Sequence, residues 1–191
     1  MLLLASPSAL ADSEASNQPV VHSSDGGSHY AKSVPADYYG QKGKTRVFKV
    51  GKESDTVIAE YDWYARTIYI GGSRRDTLVR FGPWHRSRNP KKDELALGIY
   101  REGKVIREYT TQELIDLGSG MSRSVSHYTI FRRHIGFRWL SRNRGVFEVE
   151  GQSGKTFTFD LDNGAILKSK VTVERLVIKP VTIPDEDATE K

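Results

Sequence analysis

From Thr45 onward apolar and polar residues alternate with period two, the pattern of strands that bury one face. Arg46-Val47-Phe48-Lys49-Val50 ends at Gly51, and Thr56 to Asp62 reads TVIAEYD, rich in β-formers. After Trp63-Tyr64-Ala65-Arg66, the run Thr67-Ile68-Tyr69-Ile70 ends at Gly71-Gly72 and is expected to close a hairpin with 56–62. Thr77 to Phe81 alternates again before Gly82-Pro83, where a proline without a donor closes the strand or places it on an edge.

The clearest hairpin pairs Glu94 to Tyr100 with Lys104 to Tyr109 across Arg101-Glu102-Gly103. Thr110-Thr111-Gln112-Glu113 is a capping box, Leu114, Ile115 and Leu117 supply a buried side, and Gly118 a left-handed stop. Strands are then expected at His127 to Phe131, Gly136 to Leu140, Val146 to Glu150 and Thr156 to Leu161. Asp162-Asn163-Gly164 turns the chain into Ala165 to Lys168, and a last alternating run spans Val171 to Ile178. The pattern predicts an all-β fold of antiparallel meander hairpins, forming an open sandwich, a barrel or a partial propeller-like sheet. One short helix lies near 111–117. A closed propeller needs at least about four blades of ~40–45 residues, and the three hairpins near 57–70, 95–109 and 146–161 fall short of that.

Length and composition set the boundaries around this pattern. At 191 residues, 37% hydrophobic and 28% charged, the chain suits one domain with a real core, expected over 44–183. Residues 12–43 are rich in Ser, Gly, Asp, Asn and Pro and read as a flexible linker. Met1 to Ala11 reads as a truncated signal peptide: an apolar start, Pro7, then Ala9-Leu10-Ala11 as a small-x-small cleavage site. An exported protein, periplasmic or secreted, is expected from it. Residues 184–191 form an acidic tail, and no apolar run is long enough to span a membrane as a helix. Cysteine is absent, which excludes disulfides, thiol catalysis and thiolate metal sites.

Charge changes the picture further. The formal net charge is +5, but it is unevenly placed along the chain. Between Leu117 and Phe147 stand Arg123, Arg132, Arg133, Arg138, Arg142 and Arg144 with His127 and His134, and no acid. Arg86 and Arg88 belong to a second basic run between Arg74 and Lys92. Arginine forks grip phosphate or carboxylate bidentately, so these residues are the candidate anion-binding set, with Phe131, Phe137 and Trp139 interleaved. Outside the cytoplasm the matching partner is an anionic lipid or envelope polymer. Single-stranded nucleic acid enters only for a chain that is not exported.

Trp84 and His85 stand in a loop after a strand end, where functional residues gather, and are the candidate loop site. The structural alternative has Trp84 burying its ring and His85 bonding a backbone carbonyl. A small hydrolase using His85 or His127 is the alternative function. Ser122, Ser124 and Ser126 offer hydroxyls, but no Gly-x-Ser-x-Gly elbow exists. Gly26-Gly27 and Gly71-Gly72 lack the Lys-Ser/Thr and helix of a phosphate loop. No metal, cofactor or catalytic residue is assigned from these motifs.

Three segments together carry a resemblance: the Trp84-His85 loop before ELALGIYREGKVIREY, the capped turn TTQELIDL, and Arg123-Ser124-Val125-Ser126 ahead of a hairpin ending in Asp160 to Gly164. The stretch over residues 77–167 resembles a group of uncharacterised bacterial exported β-proteins with propeller-like hairpins and a Trp-His loop. That resemblance implies fold and export more than function. The function expected overall is a non-enzymatic, exported β domain that engages an anionic envelope component through its arginine-rich face.

Overall fold

The computed structural model of the chain describes residues 14–71, 77–87, 89–141 and 144–167. Arg88, Arg142, the expected signal segment 1–11, the run Val171 to Ile178 and the tail 184–191 lie outside the described residues.

The first sheet is an antiparallel meander of β1 (Val20–Ser23), β2 (His29–Pro35), β3 (Gly43–Lys49) and β4 (Thr56–Tyr61). Two of these strands occupy 12–43, so that segment is not a linker, and the sheet begins ahead of residue 44. Composition misled because this core is built partly from small polar residues. His29, Ala31 and Ser33 alternate inward along β2, and the buried Ser33 hydroxyl meets Thr45 Oγ1 at 2.7 Å while accepting from Ala65 N at 3.0 Å. A buried hydroxyl bonded on two sides carries little desolvation penalty.

β5 (Ile68–Ile70), β6 (Thr77–Phe81), β7 (His85–Arg86), β8 (Leu95–Arg101) and β9 (Lys104–Thr110) follow, and β5-β6-β8-β9 form the second sheet. The hairpin expected between 56–62 and 67–70 does not form: β4 pairs only with β3, and β5 pairs with β6. The connection instead crosses between sheets, because Trp63 stacks on Tyr61 (centroids 4.9 Å) and tilts against Tyr100 of β8 (5.2 Å). The β8–β9 hairpin forms as expected, with Glu102 at φ 49° and Gly103 at φ 77° making its turn.

α1 (Thr111–Asp116) carries the capping box: Glu113 N donates to Thr110 Oγ1 (3.1 Å) and Thr110 N to Glu113 Oε2 (2.7 Å). Leu114 points into the core. β10 (Ser122–Arg123) and β11 (His127–Thr129) join β7 in a three-stranded sheet of order β10-β11-β7. β12 (Phe131–Ser141), β13 (Arg144–Gly151) and β14 (Thr156–Asp160) make the fourth sheet, and Ile166 bridges to Phe159 on its outer strand.

All sheets are antiparallel and open; none closes as a barrel among the described residues. The larger core packs Val79, Phe81, Leu97, Ile99, Phe147 and Phe159 with Leu114 of the helix, and the smaller packs Val47, Tyr61, Ile68 and Tyr100. Each such side chain contributes roughly 1.5–3 kcal/mol on burial. No helix among the described residues is long and apolar enough to cross a membrane.

Candidate functional site

Gly82 sets the path that carries the chain from β6 into the site. A Cβ there would collide with the Leu95 carbonyl oxygen, so only glycine lets the chain leave β6 this close to β8. Pro83 then turns it outward, and β7 pairs antiparallel with β11: His85 faces Tyr128, and Arg86 faces His127. The Trp-His loop and the Ser-Val-Ser-His-Tyr segment, more than forty residues apart in sequence, thus become neighbours. Trp84 lies on the His127 ring with centroids 4.0 Å apart, and His85 stacks on Tyr128 at 4.9 Å.

Behind these rings runs a chain of polar contacts. The buried Tyr128 hydroxyl donates to Glu94 Oε2 at 2.6 Å and meets Thr111 Oγ1 at 3.1 Å, while Thr111 Oγ1 donates to the Lys91 carbonyl at 3.2 Å. His85 Nδ1 lies 3.4 Å from Glu94 Oε2 but without the alignment of a hydrogen bond. Burial alone would raise the Glu94 pKa; the nearby His85 ring and the bond from Tyr128 outweigh it and hold the carboxyl below its usual range. Burial, with the Glu94 bond, pushes the Tyr128 phenol up to about 12. His85 therefore contacts a carboxylate rather than the backbone carbonyl expected for a structural histidine.

The same rings wall a cavity of about 230 Å³. Trp84, His85, His127 and Tyr128 line it together with Phe81, Phe131, His134, Gln41, Tyr64 and Thr67. His134 stacks on Phe81 (3.8 Å, 18°), and desolvation of its ring pushes its pKa down. Gln41 Nε2, sheltered from solvent, has no hydrogen-bond partner among the described residues. The rim cations are occupied: Arg66 donates to the Ala15 and Ser16 carbonyls (both 2.7 Å), and Arg86 pairs with Glu14 at 2.5 Å while lying 4.5 Å over Tyr39. A groove of about 550 Å³ lies between β1, β5 and β12, beside Val21, Tyr69 and Phe137, and adjoins the cavity at Thr67.

The arginine set separates in space. Arg86 is at the cavity rim, and Arg123 is exposed on β10. Arg132 and Arg133 on β12 share Glu150 at 3.5 and 2.9 Å, Arg138 grips Glu148 through two bonds (3.0 and 2.5 Å), and Arg144 meets Asp160 at 3.1 Å. The register explains this. The segment from Leu117 to Phe147 carries no acid, but β13 and β14 place Glu148, Glu150 and Asp160 beside its guanidinium groups. The Arg138 bond holds the Glu148 carboxyl below its ordinary pKa against the effect of burial.

Ser124 Oγ lies 2.6 Å from His127 Nδ1 and also accepts from Ser126 N, so this hydroxyl closes the turn between β10 and β11. No group of three or more His, Cys, Asp or Glu side chains converges on a metal-sized point among the described residues. Sequence reading singled out Trp84, His85 and His127 but missed Glu94, Tyr128 and Gln41. The β7–β11 pairing that joins them is nonlocal, and the one available hint was a buried-type tyrosine directly after His127. Comparison with known proteins finds no family model, curated protein or solved structure that matches the chain.

Proposed function

We propose that the protein is a non-enzymatic binding domain whose seat is the cavity beside Trp84 and His85, sized for one small ligand or the terminal unit of a polymer. The observation that carries this reading is the β7–β11 pairing, which assembles Trp84, His85, His127 and Tyr128 from two distant segments into one concave aromatic wall. Concave, mostly apolar sites with a few convergent polar groups are the usual form of a ligand pocket. The hydroxyl nearest a histidine, that of Ser124, is engaged in a turn, which favours binding over hydrolysis.

The test is thermal unfolding of the full chain against a fragment collection, with Trp84→Ala alongside. A ligand present at 100 times its Kd stabilises by ~2.7 kcal/mol, a Tm rise of roughly 5–10 °C for a domain of this size. That rise should vanish in Trp84→Ala. Stabilisation that is equal in both proteins would place binding elsewhere.

A second reading, in which β12 meets an anionic envelope surface, is favoured by one feature: Arg132 and Arg133, each about two-thirds exposed, share a single carboxylate, and Trp139 on the same strand is 41% exposed. Binding to anionic vesicles that falls steeply with salt and disappears on reversing Arg132 and Arg133 would support it. Absent or salt-independent binding would remove it.

A further inference from the structure

The geometry points to an uncharged saccharide unit, a single pyranose ring, as the ligand of the cavity beside Trp84, held against the aromatic wall and hydrogen-bonded by Gln41. This rests on the reading of that cavity as the binding seat.

Size is the first argument. The cavity of about 230 Å³ is small against the ~300–1,000 Å³ that drug-sized ligands occupy. One six-membered ring with its hydroxyls suits such a space, and a longer saccharide would place its further units outside it.

Charge is the second. An anionic ligand needs a cation free to receive it, and among the described residues the arginine that lines the cavity, Arg66, is engaged by two backbone carbonyls, while Arg86, next to the lining residue His85, is engaged by Glu14. An incoming phosphate or carboxylate would have to displace those bonds while approaching the Glu14 carboxylate, a like charge. A nucleobase would stack on the same rings, but its phosphate would lack a partner.

Surface chemistry is the third. The lining combines the aromatic side chains of Trp84, Phe81, Phe131 and Tyr128 with a few neutral hydrogen-bonding groups, Gln41 and Thr67 among them. A pyranose matches this amphipathic lining, because its C–H face packs on aromatic rings while its edge hydroxyls both donate and accept. Gln41 Nε2, in the lining of the cavity, has no hydrogen-bond partner among the described residues, so a ligand oxygen that reaches the amide satisfies a donor otherwise left unpaired.

The experiment uses the full chain and saturation-transfer NMR with parallel tryptophan fluorescence. The probes are methyl glucoside, N-acetylglucosamine, glucuronate, adenosine monophosphate and, as a general probe of the cavity, indole. The neutral sugars should bind; Trp84→Ala should abolish the signal, Trp84→Phe should retain most of it, and Gln41→Ala should weaken it about tenfold. Glucuronate or adenosine monophosphate binding as tightly as the neutral sugars overturns the uncharged-ligand inference. So does sugar binding that neither Trp84→Ala nor Gln41→Ala affects. If indole binds in a Trp84-dependent way and no sugar does, the ligand class is wrong and the binding seat survives; if no probe binds, both fall.

Discussion

Replacing Tyr128 by Phe removes one oxygen from the centre of the site and should be felt as a lost charge-assisted bond. The hydroxyl is buried, donates to Glu94 Oε2 at 2.6 Å and shares a contact with Thr111 Oγ1 at 3.1 Å. Glu94 is itself only 14% exposed, so water cannot fully replace the lost donor. A hydrogen bond to a charged group contributes ~1.5–3 kcal/mol, and the expected loss at pH 7 is about 2 kcal/mol, or roughly 4–8 °C in Tm. The pH dependence makes this specific. The folded-state pKa of Glu94 is depressed, so its contribution is present above the unfolded value, ~4.3, and is lost as pH falls through the folded one. Urea unfolding of both proteins at pH 7 and at a pH low enough to protonate Glu94 in the folded protein should therefore show the deficit shrinking at the acid end. A deficit below about 0.5 kcal/mol at pH 7, within the ordinary range for surface substitutions, would refute the reasoning. So would one that is the same at both pH values.

Three further outcomes can be checked on the same protein. Arg80 is buried with Nε and Nη1 unbonded, 4.3 Å above the Trp63 ring and 3.6 Å from Glu108. Arg80→Met, which keeps the volume without the charge, should leave stability equal or raise it by ~1–2 kcal/mol, while Arg80→Ala should lose ~2–4 kcal/mol to the cavity; equal losses in urea melts would contradict this. Gly82→Ala forces β6 and β8 apart at Leu95 and should destabilise by about 3 kcal/mol, with a chemical-shift change at His85; a neutral result would mean the backbone yields. In an alkaline titration followed by ultraviolet absorbance, Tyr128→Phe should remove a late tyrosinate step near pH 12. Because that pKa is raised on folding from 10.0, the matching stability is complete below pH 10 and lost as pH rises toward 12, which denaturant melts across that range will test.

How much of this was legible in the sequence depends on whether the governing contact is local. The Thr110 to Glu113 capping box and the β8–β9 hairpin were readable because every partner lies within a few residues. The hairpin drawn from 56–62 to 67–70 failed for a nonlocal reason, the packing of Trp63 on Tyr100 across two sheets. β1 and β2 were hidden because Ser33 and Thr45 satisfy each other in the core, a pairing composition does not encode. Trp84, His85 and His127 were visible as candidates. Their assembly was not, since it depends on the β7–β11 register and on Gly82 approaching Leu95.

The arginines carry the sharper lesson about where function resides. Along the chain, Leu117 to Phe147 looks like a basic surface because acids are absent from it, yet an antiparallel sheet sets each strand against another with its own composition. β13 brings Glu148 and Glu150 to Arg132, Arg133 and Arg138, and β14 brings Asp160 to Arg144. Exposed pairs of this kind contribute only ~0–1 kcal/mol to stability, but they neutralise the field that would draw a polyanion over a distance. The cavity differs in kind. Its rings are held by neighbours they need for folding, Tyr128 by Glu94 and His134 by Phe81, while the Gln41 amide nitrogen remains without a partner among the described residues. A surface most of whose guanidinium groups already meet a carboxylate gains less from a ligand, whereas a sheltered donor that lacks a partner gains a hydrogen bond from one, and this asymmetry favours the cavity over the basic face.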